Sequence, residues 1–140
     1  MASFERSYKV HFDQCDMAGI VFFPNYLVMF NRLFEEWFGE ALQVPLGAYH
    51  AERHSGFPLL NLQVSFNKPS RVGDLLNWRL LVRKIGVKSV KLAASASCGG
   101  ELRIEVETTM VSAGLVPEGV LAQEIPADIR AGMEAFLEPS

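Results

Sequence analysis

A chain of 140 residues with 49% hydrophobic content has enough apolar material for one substantial core and too little length for two ordinary domains, so residues 1–140 read as a single domain. Its net charge of −3 is small and mixed in sign. No block of Lys or Arg is long enough to neutralise a run of phosphates, which argues against nucleic acid as a partner.

Met1 to Val10 alternates charged and aromatic residues and lacks the apolar stretch of a secretory signal. The longest apolar runs, such as Ala18 to Phe23, fall far short of the ~20 residues that span a bilayer. A soluble cytoplasmic protein without membrane contact is expected. Cys15 and Cys98 are far apart and form no CxxC pair, so neither a disulfide framework nor a zinc site is indicated.

Tyr8, Val10 and Phe12 alternate with Lys9, His11 and Asp13, the period of a half-buried strand. Pro24 suits the first turn of a helix, where its missing N–H costs nothing. Tyr26, Phe30, Leu33, Phe34, Trp37, Phe38 and Ala41 then recur at three- and four-residue steps, with Asn31, Arg32, Glu35, Glu36 and Glu40 on the other face. Each large side chain in that stripe is worth ~1.5–3 kcal/mol when buried, and a curved sheet would supply the covering surface. Pro45 to His54 reads as a short irregular helix, followed by punctuation at Gly56 and Pro58.

Leu60, Leu62, Val64 and Phe66 form the next alternating run, which Pro69 ends. Leu76, Trp78, Leu80 and Val82 form another. A turn at Gly86 leads into Val87 to Ser97, Gly99 and Gly100 suit a two-residue hairpin, and Leu102 to Met110 is the last clear strand. Pro126, Ala127 and Asp128 open a terminal helix through Phe136, with Asp128 placed against its N-terminal dipole. Strand, long helix and then at least four strands joined by tight turns make an antiparallel α+β sheet.

Asp16 falls in the loop between the first strand and the long helix. The first turn of a helix offers unpaired N–H groups that can hold a carbonyl oxygen as it becomes an oxyanion, and a carboxylate beside it can attack an activated carbonyl or take a proton from water. The plainer role of a loop aspartate is to cap a turn. Asp13, three residues earlier, reads as an exposed strand end, though an acid pair with Asp16 is conceivable. His50 and His54 stand one helical turn apart, but Glu52 is wrongly placed for HExxH and no third ligand accompanies them. No metal site is expected; these two and His11 read as surface histidines. Cys15 reads as a packing residue.

The stretch Asp16, Met17, Ala18, Gly19, Ile20, Val21, Phe22, Phe23, Pro24, Asn25 and Tyr26 resembles the active-site signature of the 4-hydroxybenzoyl-CoA thioesterase family, and weaker similarity continues to about Met110. The resemblance implies a hotdog fold, an antiparallel curved sheet wrapped around one long central helix, and a homodimer or homotetramer with active sites at a subunit interface. It implies hydrolysis of a 4-hydroxybenzoyl-like, benzoyl-like or short-chain acyl-CoA, with coenzyme A as part of substrate and product and no other cofactor. Asp16 would be the nucleophile or general base, the Phe23 backbone N–H the oxyanion donor, and Gly19 the residue permitting close approach.

Phe22 and Tyr26 fall within the same signature as candidate substrate contacts, although Phe22 departs from the polar or bulkier aromatic side chains common nearby in aryl-CoA members. Lys88 followed by Ser89 matches the family's nucleotide-contacting stretch, with Gly86 and Val87 where the family has arginines. Arg83, Lys84 and Lys91 complete a basic cluster around that turn. Those lysines also suit a solvated strand edge. Two other readings are a hotdog protein that binds acyl-CoA or acyl carrier protein without turning it over, and a hydroxyacyl dehydratase, which would need a poised histidine.

Overall fold

The computed structural model describes residues 2–139; Met1 and Ser140, the ends of the single-domain reading, lie outside the described residues. Strand β1 spans Phe4–Lys9, earlier than the alternation at Tyr8 to Phe12 suggested. Hydrogen bonding explains the shift. Val10 N–H turns to the Asp74 carbonyl and the Val10 carbonyl accepts from Gly73, while the His11 amide is taken by Gln14 Oε1 as Phe12–Gln14 closes into a 3-10 turn. Phe12 is left 83% exposed, and Asp13 sits in that turn rather than at a strand end.

Helix α1 runs over Pro24–Glu36 and continues through a π-helical turn, Trp37–Ala41, where the Leu42 amide reaches back to the Trp37 carbonyl. The expected stripe is its buried face, with Met29 added and Ala41 at its margin. Glu36, on the expected polar face, accepts a hydrogen bond from the Tyr8 hydroxyl and so ties the helix to β1. Helix α2, Leu46–Arg53, ends at His54 in the left-handed conformation (φ 49°).

Strands β3 (Leu59–Phe66), β4 (Leu75–Ile85), β5 (Ser89–Cys98) and β6 (Glu101–Val111) join β1 in one antiparallel sheet ordered β1-β4-β5-β6-β3. Leu76, Trp78, Leu80 and Val82 from β4, Val90 and Leu92 from β5 and Ile104 and Val106 from β6 are buried in the core with α1. Period-2 alternation sends their neighbours to the sheet's outer face. A curved antiparallel sheet around one long helix is the hotdog architecture.

A second sheet, β2-β7-β8, is built from Ser55–Gly56, Ala113–Val116 and Gly119–Ala122. The β7–β8 hairpin had no strong alternation to announce it. Helix α3, Ala127–Glu134, closes the core with Ile129 and Met133, and Asp128 in its first turn bonds Arg53 with both carboxylate oxygens.

β3 departs from its pattern in a way that matters for function. It is an edge strand, paired among the described residues with β6 alone. Leu62, Val64 and Phe66 oppose the buried Thr108, Val106 and Ile104 and therefore face inward, yet Leu60 is 69% exposed and Phe66 54%. The helix leaves much of the inner face of β3 uncovered, although Val64 packs partly against the core.

Candidate active site

Asp16 opens a tight hairpin. Cys15 and Val21 bridge its base, the Asp16 amide donates to the Ile20 carbonyl (2.9 Å), and Gly19 N–H donates to the Asp16 carbonyl (3.0 Å). Such a three-residue loop needs a left-handed residue at its end, and Gly19 supplies it with φ 79°. A Cβ there would meet only Arg71 Nη1, at 3.9 Å, so the demand on Gly19 visible in the chain itself is conformational. Ala18 N–H donates to Asp16 Oδ1 (2.8 Å), the turn-capping bond an aspartate at this position makes. Oδ2 takes no part in that bond, and the residue is exposed.

The chain then enters α1. The Gln14 carbonyl accepts from both Phe22 N–H (2.9 Å) and Asn25 Nδ2 (2.8 Å), pinning the helix start to the segment just before Asp16. Phe23 already has helical angles (φ −51°, ψ −36°) and its carbonyl accepts from Tyr26, but its own N–H meets no backbone acceptor among the described residues. An amide without a backbone acceptor at a helix N-terminus, one hairpin away from an exposed carboxylate, is the arrangement that an oxyanion donor beside a nucleophile or base would require.

Aromatic side chains surround this corner. Phe22 and Phe23 meet edge to face at 5.5 Å, Phe23 meets Phe66 at 6.3 Å, and Tyr26 lies 5.9 Å from Phe66. Phe22, Phe23 and Phe66 remain half exposed, whereas Tyr26 is buried and supports Phe66. Phe66 was legible only as a strand residue; no local signal tied it to the Asp16 loop.

Two further residues act behind the hairpin. Val21 N–H donates to the Ser70 carbonyl and Ile20 bridges to Arg71, so the hairpin leans on the segment before β4. That segment is held by Arg103, whose Nη1 reaches the Pro69 carbonyl, Ser70 Oγ and Asp74 Oδ2 (2.8 Å). Asp74 also accepts from the Arg71 amide, and this bond, with the Arg103 guanidinium, holds its carboxyl below the usual carboxylate range. Asp74 and Arg103, 29 residues apart, gave no motif to read.

The other candidates lie elsewhere. Lys88 and Ser89 stand at the β4–β5 turn, at the far end of β4 from Arg71. Arg83 faces the outer side of the sheet and is bound by Glu107 and Glu138. His50 packs under Gly56, Cys15 is half-buried against the core, and among the described residues no three His, Cys, Asp or Glu side chains converge. Nor is any helix there long and apolar enough to cross a membrane.

Comparison with known proteins agrees with this architecture. A 1,4-dihydroxy-2-naphthoyl-CoA hydrolase of Nostoc punctiforme is 33% identical over 90 residues, 64% of this chain and 60% of the relative. A hydrolase of the same name from Prochlorococcus marinus is 33% identical over 81 residues, 55% of this chain and 54% of its own length. The chain thus matches less than two thirds of these relatives' length. Among solved structures, 4-hydroxybenzoyl-CoA thioesterase from Pseudomonas sp. strain CBS-3 superposes with a TM-score of 0.86 at 26% identity, over 93% of this chain and 98% of the other. A 1,4-dihydroxy-2-naphthoyl-CoA thioesterase from Synechocystis does so with 0.86 at 21% identity, over 99% and 100%. With the thioesterase-like superfamily matched over residues 10–132 and the hotdog architecture complete, the chain belongs to that superfamily.

Proposed function

We propose that the protein hydrolyses an aromatic acyl-CoA, of the benzoyl, hydroxybenzoyl or dihydroxynaphthoyl kind, to the free acid and coenzyme A. The observation that carries this reading is the Phe23 amide at the helix start, which meets no backbone acceptor among the described residues and stands just across the hairpin that Asp16 opens. The exposed rings of Phe22, Phe23 and Phe66 suit a planar acyl group, and the named relatives act on aromatic acyl-CoA thioesters. In the reaction Asp16 either attacks the thioester carbon, forming a mixed anhydride that water then opens to release the acid and restore the carboxylate, or takes the proton of a water that attacks the same carbon. The carbonyl oxygen gains charge against Phe23 N–H, and the C–S bond breaks to release CoA thiolate, which water protonates. A thioester needs no Ser-His-Asp triad because its leaving group is already good.

Distances within one chain support a site shared between two subunits. The 11 residues of β4 at ~3.3 Å each place the Lys88 turn roughly 36 Å from the Arg71 segment on which the Asp16 hairpin leans. A CoA whose phosphates meet Lys88 and Ser89 therefore cannot present its thioester to Asp16 of the same chain. Antiparallel pairing of two β3 edges would resolve this. The Phe66 end of β3, beside Phe23, would lie against the partner's Leu59 end, which is on the Ser89 side of the sheet. That pairing would also cover Leu60, Leu62 and Phe66. Arg83, occupied by two carboxylates, contributes least to a phosphate site. The unpaired thiols of Cys15 and Cys98 suit the cytoplasmic setting expected from the sequence.

The test is CoA release from benzoyl, 4-hydroxybenzoyl, 1,4-dihydroxy-2-naphthoyl and short-chain thioesters, by the wild-type protein and by Asp16→Asn and Asp16→Ala. Turnover of an aryl thioester that collapses in folded variants supports the reading. Binding without turnover would instead select the non-catalytic acyl-CoA carrier, and unchanged turnover in the variants would remove Asp16 from the mechanism.

A further inference from the structure

The turn between β4 and β5, residues 86–88, has its carbonyls bound from within the chain. Arg130 Nη2, from α3, donates to the Gly86 carbonyl at 2.6 Å and to the Val87 carbonyl at 3.2 Å. The Val87 carbonyl also accepts from the Ile125 amide (3.0 Å), and the Lys88 carbonyl from the Ser112 amide (2.7 Å). Helix α3 is a firm base for that guanidinium, because Ile129 and Met133 on either side of Arg130 are fully buried.

Peptide geometry settles the other side of the turn. A trans peptide sets its N–H opposite its C=O, and the described chain has no cis bond, so inward carbonyls at Gly86 and Val87 turn the Val87 and Lys88 amides outward. Neither amide meets a backbone acceptor among the described residues. Each belongs to a peptide whose carbonyl Arg130 already polarises, which makes it a stronger donor. Around them Lys84, Lys88 and Lys91 are exposed, and among the described residues neither they nor Arg130 make an ion pair. Two successive outward amides ringed by cations suit a phosphate.

We propose that Arg130 is a positioning residue for the nucleotide half of the substrate: by binding the Gly86 and Val87 carbonyls it directs the Val87 and Lys88 amides, and with them the Lys88 side chain, toward a coenzyme A phosphate. This rests on the hydrolase reading in taking coenzyme A as the carrier of the acyl group. What it adds is a residue of another element, about 40 positions along the chain, that sets the affinity of the turn.

The test compares benzoyl-CoA with benzoyl-pantetheine, which carries the same thioester without phosphates. Arg130→Ala should raise KM for benzoyl-CoA roughly tenfold while kcat is kept, so that the preference for the CoA thioester over the pantetheine thioester falls by the same factor. Arg130→Lys keeps a donor at the turn and should shift that preference the same way by a smaller factor. Thermal melts identify the folded variants. An unchanged preference in them would overturn the proposal, because a merely structural arginine lowers both substrates alike. Combining Arg130→Ala with Lys88→Ala should raise KM by less than the product of the separate factors, since one residue acts through the other. The full product would also overturn it, making Arg130 an independent phosphate contact. Should neither thioester turn over, calorimetry with free coenzyme A reads the same tenfold step in the dissociation constant. Equal constants for the wild type and Arg130→Ala would then sink the proposal, and a tenfold step would uphold it although hydrolysis had failed.

Discussion

The proposed chemistry adds a second job to the turn-capping one that Asp16 performs, and substitution can separate the two. Its Oδ1 caps the hairpin through Ala18 N–H, a task an asparagine carbonyl performs as well, whereas attack on a carbonyl or removal of a proton needs the carboxylate. Asp16→Asn should therefore keep the melting temperature while kcat on the preferred thioester falls about 10²–10⁴-fold. Asp16→Ala should lose the same activity and some stability besides. Equal kcat for the wild type and Asp16→Asn would leave the aspartate a turn residue only. Gly19→Ala tests the neighbouring constraint. There is room for the methyl group, so the cost is the left-handed backbone, ~1–2 kcal/mol by denaturant unfolding, and hairpin distortion should lower kcat as well.

At the scale of elements, the 69–74 segment and β6 hold the hairpin through Asp74 and Arg103. The Asp74 carboxyl lies below its ordinary value because the Arg71 amide and the Arg103 guanidinium favour its ionised form. A lowered folded pKa contributes stability above the unfolded value of ~3.9, and that contribution is lost as pH falls through the folded one. Asp74→Asn should thus cost ~1–3 kcal/mol at pH 7, and the gap between wild-type and variant melting temperatures should narrow below about pH 4. A constant gap down to pH 3 would contradict the assignment. This support was invisible in the sequence because it joins residues about 30 apart through space, with no periodicity to mark it. What was legible had a period or a motif: the aromatic stripe of α1, the inward rows of β4 to β6, and the Asp16 to Tyr26 signature. β1 was misplaced because alternation continued through Phe12 after the backbone bonds had turned away to Gly73 and Asp74. Tyr26 and Phe66 show the same limit within the site, since only packing sets one ring beneath the other and leaves the second exposed.

For the whole molecule, the decisive question is whether one active site draws on two chains. Asp16 and Lys88 stand at opposite ends of the sheet in one protomer, so paired β3 edges would build each site from the Asp16 of one copy and the Lys88 turn of the other. Subunit mixing tests this directly. Asp16→Asn removes the chemistry, and Lys88→Glu should weaken CoA binding, which shows as lost rate at substrate concentrations below KM. In a mixed dimer of the two variants, one site carries both substitutions and the other carries neither. Equal amounts, unfolded and refolded together, should therefore recover about a quarter of the wild-type rate, because half of the dimers are mixed and each holds one intact site. If each site lay within a single chain, every site in the mixture would carry one substitution and no rate would return. Leu62→Asp, by breaking the edge contact, should abolish the recovery and the parent activity together, with the fold retained by circular dichroism.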